Sequence, residues 1–134
     1  MAHGTAHIGD SPWRTEIVVG GHALVADEPV ALGGQGAGPA PYDLLLASLG
    51  ACTAITLKMY AARKDWPLAG LDVDLRLTGS GDARRVERTL RIAGLDDAQR
   101  ARLADIAERT PVTLTLKAGL AIDTQLAPVP ETGA

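Results

Sequence analysis

Cysteine is almost missing from this sequence, which has one among its 134 residues, Cys52. A single thiol cannot close an intramolecular disulfide, and this excludes the disulfide frameworks of small secreted proteins. An excess of positive charge is also missing, because the formal net charge is −3 and the sequence pI is about 5.5. Since a protein that binds a phosphate backbone needs a basic face, we expect no nucleic-acid partner.

Signals for export and membrane insertion are missing as well. No apolar run of the signal-peptide type precedes Trp13, and the most apolar stretch, residues 44–57, is about four residues too short for a bilayer span. We therefore expect a cytoplasmic protein without a membrane-spanning segment. Its length fits a single domain, residues 15–126, between flexible ends at 1–14 and 127–134.

Common catalytic and binding motifs do not occur either. The sequence has no Cys-x-x-Cys and no His-Glu-x-x-His, and Ser48 lacks the Gly-x-Ser-x-Gly surroundings of a hydrolase nucleophile. The glycine-rich loop 33–38 lacks the lysine of a P-loop and the full dinucleotide spacing, so we expect no phosphate site and no cofactor. His3 and His7 have no third ligand at suitable spacing, so we expect no metal site.

Apolar periodicity predicts an α+β fold. Gly20 and Gly21 separate two short apolar runs, which is typical of a two-residue hairpin turn. Asp96 and Gln99 have the spacing of a helix capping box. The predicted elements are strands at 15–19 and 22–26, a loop at 27–40, a helix from Pro41 to about Lys64, strands at 71–77 and 86–92, a helix that stops ahead of Pro111, and a last strand at 120–126.

The long predicted helix is unusual because it is apolar around its whole circumference between Leu44 and Leu57. Such a helix has to be covered on every side. Five short strands and one further helix cover one flank of it, in a chain this small. We therefore expect a second copy of the chain to cover the rest, as a homodimer.

Arginines are concentrated between Arg84 and Arg91, and this cluster has two interpretations. It could bind an anion, or it could form a solvated face on which Asp72 and Asp74 of the preceding strand pair with it. Ion pairing across a hairpin needs no ligand, so the solvated face is the favoured interpretation.

Cys52 is the remaining candidate for chemistry, and its residue type alone does not decide its role. A free cysteine is often only a small buried apolar residue. It becomes a nucleophile where a cation or hydrogen-bond donor stabilises its thiolate. The residues around Cys52 do not distinguish these two roles.

The sequence resembles the OsmC/Ohr proteins, whose best-known members are thiol peroxidases that reduce organic hydroperoxides. The resemblance extends from Thr15 to Leu126. It is carried by His22, by Ala26–Pro29, by Gly33, Gly34 and Gly38–Tyr42, by Leu49–Ala54, by Thr56–Leu68 and by Arg109–Val112. It implies antiparallel sheets around two central helices in an intertwined homodimer, with two equivalent sites at the subunit interface.

In the peroxidase members, a cysteine of the central helix attacks the peroxide, and a second cysteine just before a Pro-Val pair traps the sulfenic acid. Cys52 matches the first cysteine, whereas Thr110 occupies the position of the second. The family's thiolate-stabilising Arg falls near His22, and its partner Glu falls on Tyr42. The resemblance thus implies a site of Cys52, His22 and Tyr42 that lacks the usual resolving thiol.

Two functions remain open at this point. One is a one-cysteine peroxidase that acts on small apolar hydroperoxides and is reduced by an external thiol, such as a dihydrolipoyl group. The other is a non-enzymatic, stress-associated protein that binds a small apolar molecule, in which Cys52 is structural or a redox sensor. Fast alkylation of Cys52 at neutral pH would distinguish a stabilised thiolate from a core thiol.

Overall fold

The chain begins with a three-stranded antiparallel sheet. In the computed structural model, which describes residues 2–128, the strands pair in the order β1 (Gly4–Ile8), β2 (Thr15–Val19) and β3 (His22–Ala26). Gly20 and Gly21 have φ of 59° and 81° and form the turn between β2 and β3. Both residues of such a turn need positive φ, which glycine adopts without steric cost. The predicted hairpin is therefore confirmed.

A loop over residues 27–40 joins this sheet to the rest of the chain, and one buried carboxylate organises it. Asp27 accepts the backbone N–H groups of Glu28, Gln35 and Ala37 at 2.7, 3.2 and 3.1 Å. The hydrogen bond from Ala37, with those from the other two amides, holds the pKa of Asp27 below its ordinary value. The loop contains a single turn of 3-10 helix, Val30–Leu32, as its Gly- and Pro-rich composition predicts.

Helix α1, Pro41–Arg63, follows the loop. Pro41 occupies the first helical position, and the carboxylate of Asp43 accepts the N–H of Ala40 at 2.9 Å. The helix ends ahead of Asp65, which has a φ of 55°, and of the helix-breaking Pro67. Both predicted ends are confirmed to within one residue.

Only one stripe of α1 is buried within the chain. It consists of Leu49, Thr53, Leu57 and Ala61, at the four-residue spacing of a single helix face. On the rest of the surface Ile55 and Met59 are each 55% exposed. Within residues 2–128, α1 is long and apolar enough to cross a membrane, although core helices of soluble proteins have the same length and composition. The complete helix is thus longer than the apolar stretch 44–57, which alone is too short for a span.

Strands β4 (Gly70–Thr78) and β5 (Arg85–Ala93) form an antiparallel hairpin against α1. Its inner face carries Leu71 opposite Ile92 and Val73 opposite Leu90. Its outer face carries exposed pairs of opposite charge, Asp72 opposite Arg91 and Arg76 opposite Glu87. Arg91 is exposed, as the solvated-face interpretation expects, but Asp74 pairs with Arg76 of its own strand at 3.6 Å, and Arg84 and Arg88 have other partners, described below.

Two further helices complete the chain, α2 (Asp97–Ala107) and α3 (Pro111–Ala118). Asp96 accepts the N–H of Gln99 at 2.8 Å, and the Gln99 side chain accepts the N–H of Asp96 at 3.0 Å. This is the predicted capping box. The core is centred on Leu57 of α1 with Leu103 and Ala107 of α2, and apolar residues of β4 and β5 pack against it.

Two predictions about the chain ends were wrong. The expected flexible segment 1–14 contains β1, whose five residues all pair with β2. The expected strand at 120–126 is not formed, since residues 119–128 have no regular structure and α3 precedes them. Alternating apolar residues make a strand only where a neighbouring edge completes the hydrogen bonds, and no described strand pairs with this segment. The last six residues of the expected tail, 129–134, lie outside the described part.

Candidate functional site

Cys52 lies where α1 meets the N-terminus of α3. The residue is half-buried, and its sulfur accepts the backbone N–H of Val112 at 3.5 Å. The hydroxyl of Thr56, one helical turn further along α1, is 4.0 Å from the sulfur. Val112 is the second residue of α3, and the first N–H groups of a helix have no partner within it. Such an N–H, at the positive end of a helix, interacts favourably with negative charge on sulfur.

The segment that contacts Cys52 is the one that carries Thr110. Thr110 is the N-cap of α3 and is completely buried, with its hydroxyl 2.6 Å from that of Thr113. The fold therefore brings Cys52 together with the segment in which the resemblance puts a second sulfur. The side chain at that position is a hydroxyl, which cannot form a disulfide.

Arg88 is a buried cation beside this contact, and the sequence analysis missed it. Its side chain is 11% exposed, and its guanidinium connects three helices to β5. Nη1 donates to the hydroxyls of Thr53 at 3.0 Å and Thr113 at 2.9 Å. Nη2 donates to the carbonyl of Ala107 at 2.8 Å and to the carboxylate of Glu108 at 3.2 Å.

The sequence contains a signal for this arginine. Val86, Leu90 and Ile92 alternate along β5 and mark its inner face, and Arg88 has the same parity as they do. A charged residue among the inward positions of a strand has to find polar partners in the core. The assignment of the whole cluster 84–91 to a solvated face was therefore wrong for Arg88.

Glu108 is held at the edge of the same cluster by two cations. Lys117 donates to it at 3.1 Å and Arg88 at 3.2 Å. The hydrogen bond and positive charge of Lys117, with a smaller contribution from Arg88, hold the pKa of Glu108 below its ordinary value. The carboxylate therefore stays ionised in neutral solution and balances part of the local positive charge.

Tyr42 lies in a different environment from that of Cys52. Its hydroxyl accepts a hydrogen bond from Arg84 at 2.6 Å, and the same guanidinium lies 4.7 Å from the centre of its ring. Tyr42 lines a cleft of about 660 Å³ with an apolar wall of leucines and with Arg84, Arg85, Arg88 and Lys117. The leucines of that wall are Leu45, Leu49, Leu77 and Leu116.

His22 also lies apart from Cys52 within one chain. It is the first residue of β3, is exposed, and lies opposite Val19 of β2. Over residues 2–128, neither His22 nor Tyr42 is among the hydrogen-bond partners of the Cys52 sulfur. The hydrogen bonds of the single chain thus join Cys52 to neither of the two residues that the resemblance puts beside it, and the roles of His22 and Tyr42 stay predictions. In the same described part, no three His, Cys, Asp or Glu residues form a group suited to a metal ion.

Comparisons with known proteins agree with this fold. An OsmC-like protein from Mycoplasma pneumoniae has a TM-score of 0.75 at 18% identity, over 87% of each chain. An organic hydroperoxide resistance protein OsmC from Legionella pneumophila has a TM-score of 0.67 at 19% identity, over 87% of this chain and 89% of the other. A Psychrobacter arcticus protein, described as a candidate osmotic stress induced and detoxification response protein, has a TM-score of 0.72 at 23% identity, over 84% of this chain and 85% of the other.

These identities establish likeness of fold only, and no curated protein matches the chain in sequence. The family model of the OsmC-like proteins matches residues 34–125. This range is more than half of the chain and includes Cys52, Arg88 and Thr110. The chain therefore belongs to the OsmC-like protein family.

Proposed function

We propose that the protein is a one-cysteine peroxidase that reduces organic hydroperoxides through Cys52. The observation that carries this proposal is the half-buried sulfur of Cys52, towards which the N–H of Val112 is directed at 3.5 Å. A nucleophilic thiolate needs both access and a donor that stabilises its charge, and this arrangement provides both. The name of the Legionella pneumophila structure, an organic hydroperoxide resistance protein, supports the same reaction class.

The first step of the proposed reaction oxidises Cys52 by two electrons. The thiolate attacks the terminal oxygen of the hydroperoxide, so that a sulfur–oxygen bond forms and the oxygen–oxygen bond breaks. The leaving alkoxide takes up a proton and departs as an alcohol, and Cys52 becomes a sulfenic acid. The atoms and electrons of this step balance without a metal or a cofactor.

Two external thiols then restore Cys52. The first attacks the sulfenic sulfur, forms a mixed disulfide and releases water. The second attacks that mixed disulfide, so that an external disulfide leaves and Cys52 returns to its reduced form. We infer external reduction because Thr110, at the position of the second cysteine, offers only a hydroxyl and Cys52 is the one cysteine of the sequence.

The proposal includes a homodimer in a reducing cytoplasm. Large apolar side chains are exposed on the sheet β1–β3, on α1 and after α3, for example Val18, Ile55 and Leu120 at 55%, 55% and 73%. Exposed large apolar side chains in this number support a protein–protein interface, because a monomer rarely leaves a large apolar area in water. A second copy would also supply a further His22 and Tyr42, and the proposal is that these complete the site at each Cys52. A reducing compartment supplies the thiol that the reaction consumes.

Peroxide consumption with dithiothreitol as reductant tests the proposal. We expect the wild-type protein to reduce cumene hydroperoxide, and to do so faster than hydrogen peroxide, because Cys52 is half-buried on a helix whose neighbouring surface is apolar. The Cys52→Ser variant should be folded by circular dichroism and inactive. If Cys52 of the folded wild-type protein stays reduced after prolonged exposure to the hydroperoxide, the peroxidase proposal is wrong.

The cleft supports a second candidate function, the binding of a small apolar molecule without chemistry. Its volume of about 660 Å³ is within the usual range of ligand pockets, and Cys52 is not among its lining residues. Binding of an apolar fluorescent probe by the Cys52→Ser variant, weakened by Leu45→Asp, would favour this function if the wild-type protein proved inactive towards peroxides.

A further inference from the structure

We propose that Arg88 is a positioning residue for Cys52, which sets the reactivity of the thiol by fixing α3 against α1. This inference rests on the proposed function, because it assigns to Arg88 a role in the reaction of the same thiol. Arg88 has no hydrogen bond to the sulfur. It acts through the residues that are next to the two partners in the Cys52–Val112 hydrogen bond.

The geometry places one hydrogen bond of Arg88 on each side of that contact. Thr53, which accepts from Nη1 at 3.0 Å, directly follows Cys52 in α1. Thr113, which accepts from the same nitrogen at 2.9 Å, directly follows Val112 in α3. One guanidinium nitrogen thus connects the neighbours of the donor and of the acceptor, and a shift of either helix would break one of its bonds.

The second guanidinium nitrogen fixes the end of α2 from which α3 departs. It donates to the carbonyl of Ala107 at 2.8 Å, and the hydroxyl of Thr113 donates to the same carbonyl at 3.2 Å. The hydroxyl of Thr110 is then free to donate to Thr113 at 2.6 Å. Every hydroxyl proton of this cluster has an acceptor, so the arrangement is complete without water.

Arginine suits this role better than lysine does. The planar guanidinium has donors at fixed angles and reaches α1, α2 and α3 at the same time, whereas an ammonium group is a single point on a flexible stem. A lysine at position 88 would keep the charge and lose the fixed geometry. We therefore expect Arg88→Lys to lower the reactivity of Cys52 almost as much as Arg88→Met.

The test measures how fast iodoacetamide alkylates Cys52 at pH 7 in the folded protein, well below the unfolding temperature. We expect a rate about tenfold lower for Arg88→Met and Arg88→Lys, since the loss of the network frees the Val112 N–H from the sulfur. Arg91→Met is the matched control, because Arg91 is exposed on the other face of the same strand. Its rate should equal that of the wild-type protein.

Two further measurements separate positioning from simple stability. Leu103→Ala removes a fully buried core side chain that takes part in none of these hydrogen bonds, and it should lower the unfolding temperature without slowing alkylation. Thr113→Val removes the hydroxyl that accepts from Arg88, whereas Thr113→Ser keeps it. We expect slower alkylation in Thr113→Val and the wild-type alkylation rate in Thr113→Ser. The amide proton resonance of Val112 should shift in every slow variant and stay unchanged in Arg91→Met.

The outcomes distinguish this inference from the proposed function. Equal or faster alkylation in Arg88→Met, or slower alkylation in Leu103→Ala to the same extent, would overturn the role of Arg88. If Arg88→Met slows alkylation but the wild-type protein consumes no hydroperoxide, the positioning role stands and the peroxidase proposal fails.

Discussion

At the scale of single residues, the proposed chemistry depends on Thr110, which puts a hydroxyl at the position where the resemblance expects a second thiol. Thr110 is buried and bonded to Thr113, in the segment whose Val112 contacts Cys52. A threonine there completes a polar cluster, but it cannot trap a sulfenic acid. The proposed peroxidase would therefore have no second thiol of its own to protect Cys52 against further oxidation.

The first prediction is that excess peroxide overoxidises Cys52. Cumene hydroperoxide without added thiol should carry Cys52 past the sulfenic acid to the sulfinic acid, because no second thiol of the chain intervenes. Mass spectrometry of the intact protein should detect a gain of two oxygen atoms. Dithiothreitol present from the start should prevent that gain, and a sulfenic acid that persists under excess peroxide would contradict the prediction.

Thr110→Cys is expected to restore the internal trap. The new thiol lies two residues before Val112, next to the point of contact with Cys52. Under the same peroxide treatment the variant should lose two hydrogen atoms to a disulfide and gain no oxygen. Thr89→Cys is the control, because Thr89 is exposed on the outer face of β5, which carries none of the contacts of Cys52. Oxygen gain equal to that of the wild-type protein would show that the two sulfurs do not meet.

Asp27 predicts a pH dependence of stability. Its folded-state pKa lies below the ordinary value because three amides donate to it, with Ala37 making the largest contribution. A lowered pKa stabilises the fold above the unfolded-state value of about 3.9, and this contribution is lost as the pH falls through the folded-state value. Asp27→Asn should therefore lower the melting temperature at pH 7, and the loss should shrink as the pH falls below the unfolded-state value.

The control for Asp27→Asn is the same substitution at an aspartate whose carboxylate accepts no backbone amide. Asp72→Asn is suitable, because Asp72 is exposed on β4. In the wild-type protein Oδ1 of Asp27 accepts one backbone amide and Oδ2 accepts two. In Asp27→Asn one of these oxygens becomes an N–H₂ group that faces an N–H donor, so at least one hydrogen bond is lost together with the charge. A melting-temperature difference that is equal at pH 7 and pH 3 would rule out the electrostatic explanation.

At the scale of elements, local signals predicted the parts of the fold that are held by local interactions. Pro41 marked the start of α1, Asp96 and Gln99 marked α2, and Gly20 and Gly21 marked the first hairpin. Each signal acts within a few residues, through a cap or a turn conformation. The sequence alone is therefore sufficient for these elements.

The elements that were missed depend on distant contacts. Strand β1 is a strand because β2 lies beside it, and no local pattern in residues 1–14 specifies that pairing. Helix α3 has only eight residues, and two of them are β-branched threonines that alternate with leucines as in a strand. Its N-terminus is fixed by the hydrogen bond that Arg88 donates to Thr113, and these two residues are 25 positions apart in sequence. Tertiary context thus outweighed a weak local preference.

The residues of the candidate site also divide into those that could be predicted from the sequence and one that depends on distant contacts. Cys52 and Thr110 were found through the resemblance, and the fold brings their segments together. Arg88 was missed because the cluster 84–91 was assigned to one solvated face, although alternate residues of a strand point to opposite faces. The hydrogen bonds that give Arg88 its role come from three helices, and no spacing along one strand reveals them.

At the scale of the whole molecule, the exposed apolar residues of α1 bear on the oligomeric state of the protein. Leu49 and Leu57 are buried within the single chain, at 5% and 0% exposure, so charged substitutions there would damage the core of each subunit. Ile55 and Met59 are exposed, and they belong to the part of the helix that a second copy would cover. Substitution of these two residues therefore tests assembly more selectively.

The last prediction is that the wild-type protein sediments as a dimer and that Ile55→Glu does not. In a monomer, a glutamate at a position that is 55% exposed stays in water and costs little. In a dimer interface, the same carboxylate would lose its hydration without gaining a partner, which costs several kcal/mol by the usual scale for buried charge. Ile55→Glu should therefore shift the sedimentation equilibrium towards monomer or aggregate, whereas Thr89→Glu, on the exposed outer face of β5, should leave a dimer. A wild-type protein that is folded and monomeric at micromolar concentration would remove the homodimer from the proposed function, and with it any role for a partner's His22 or Tyr42 at Cys52.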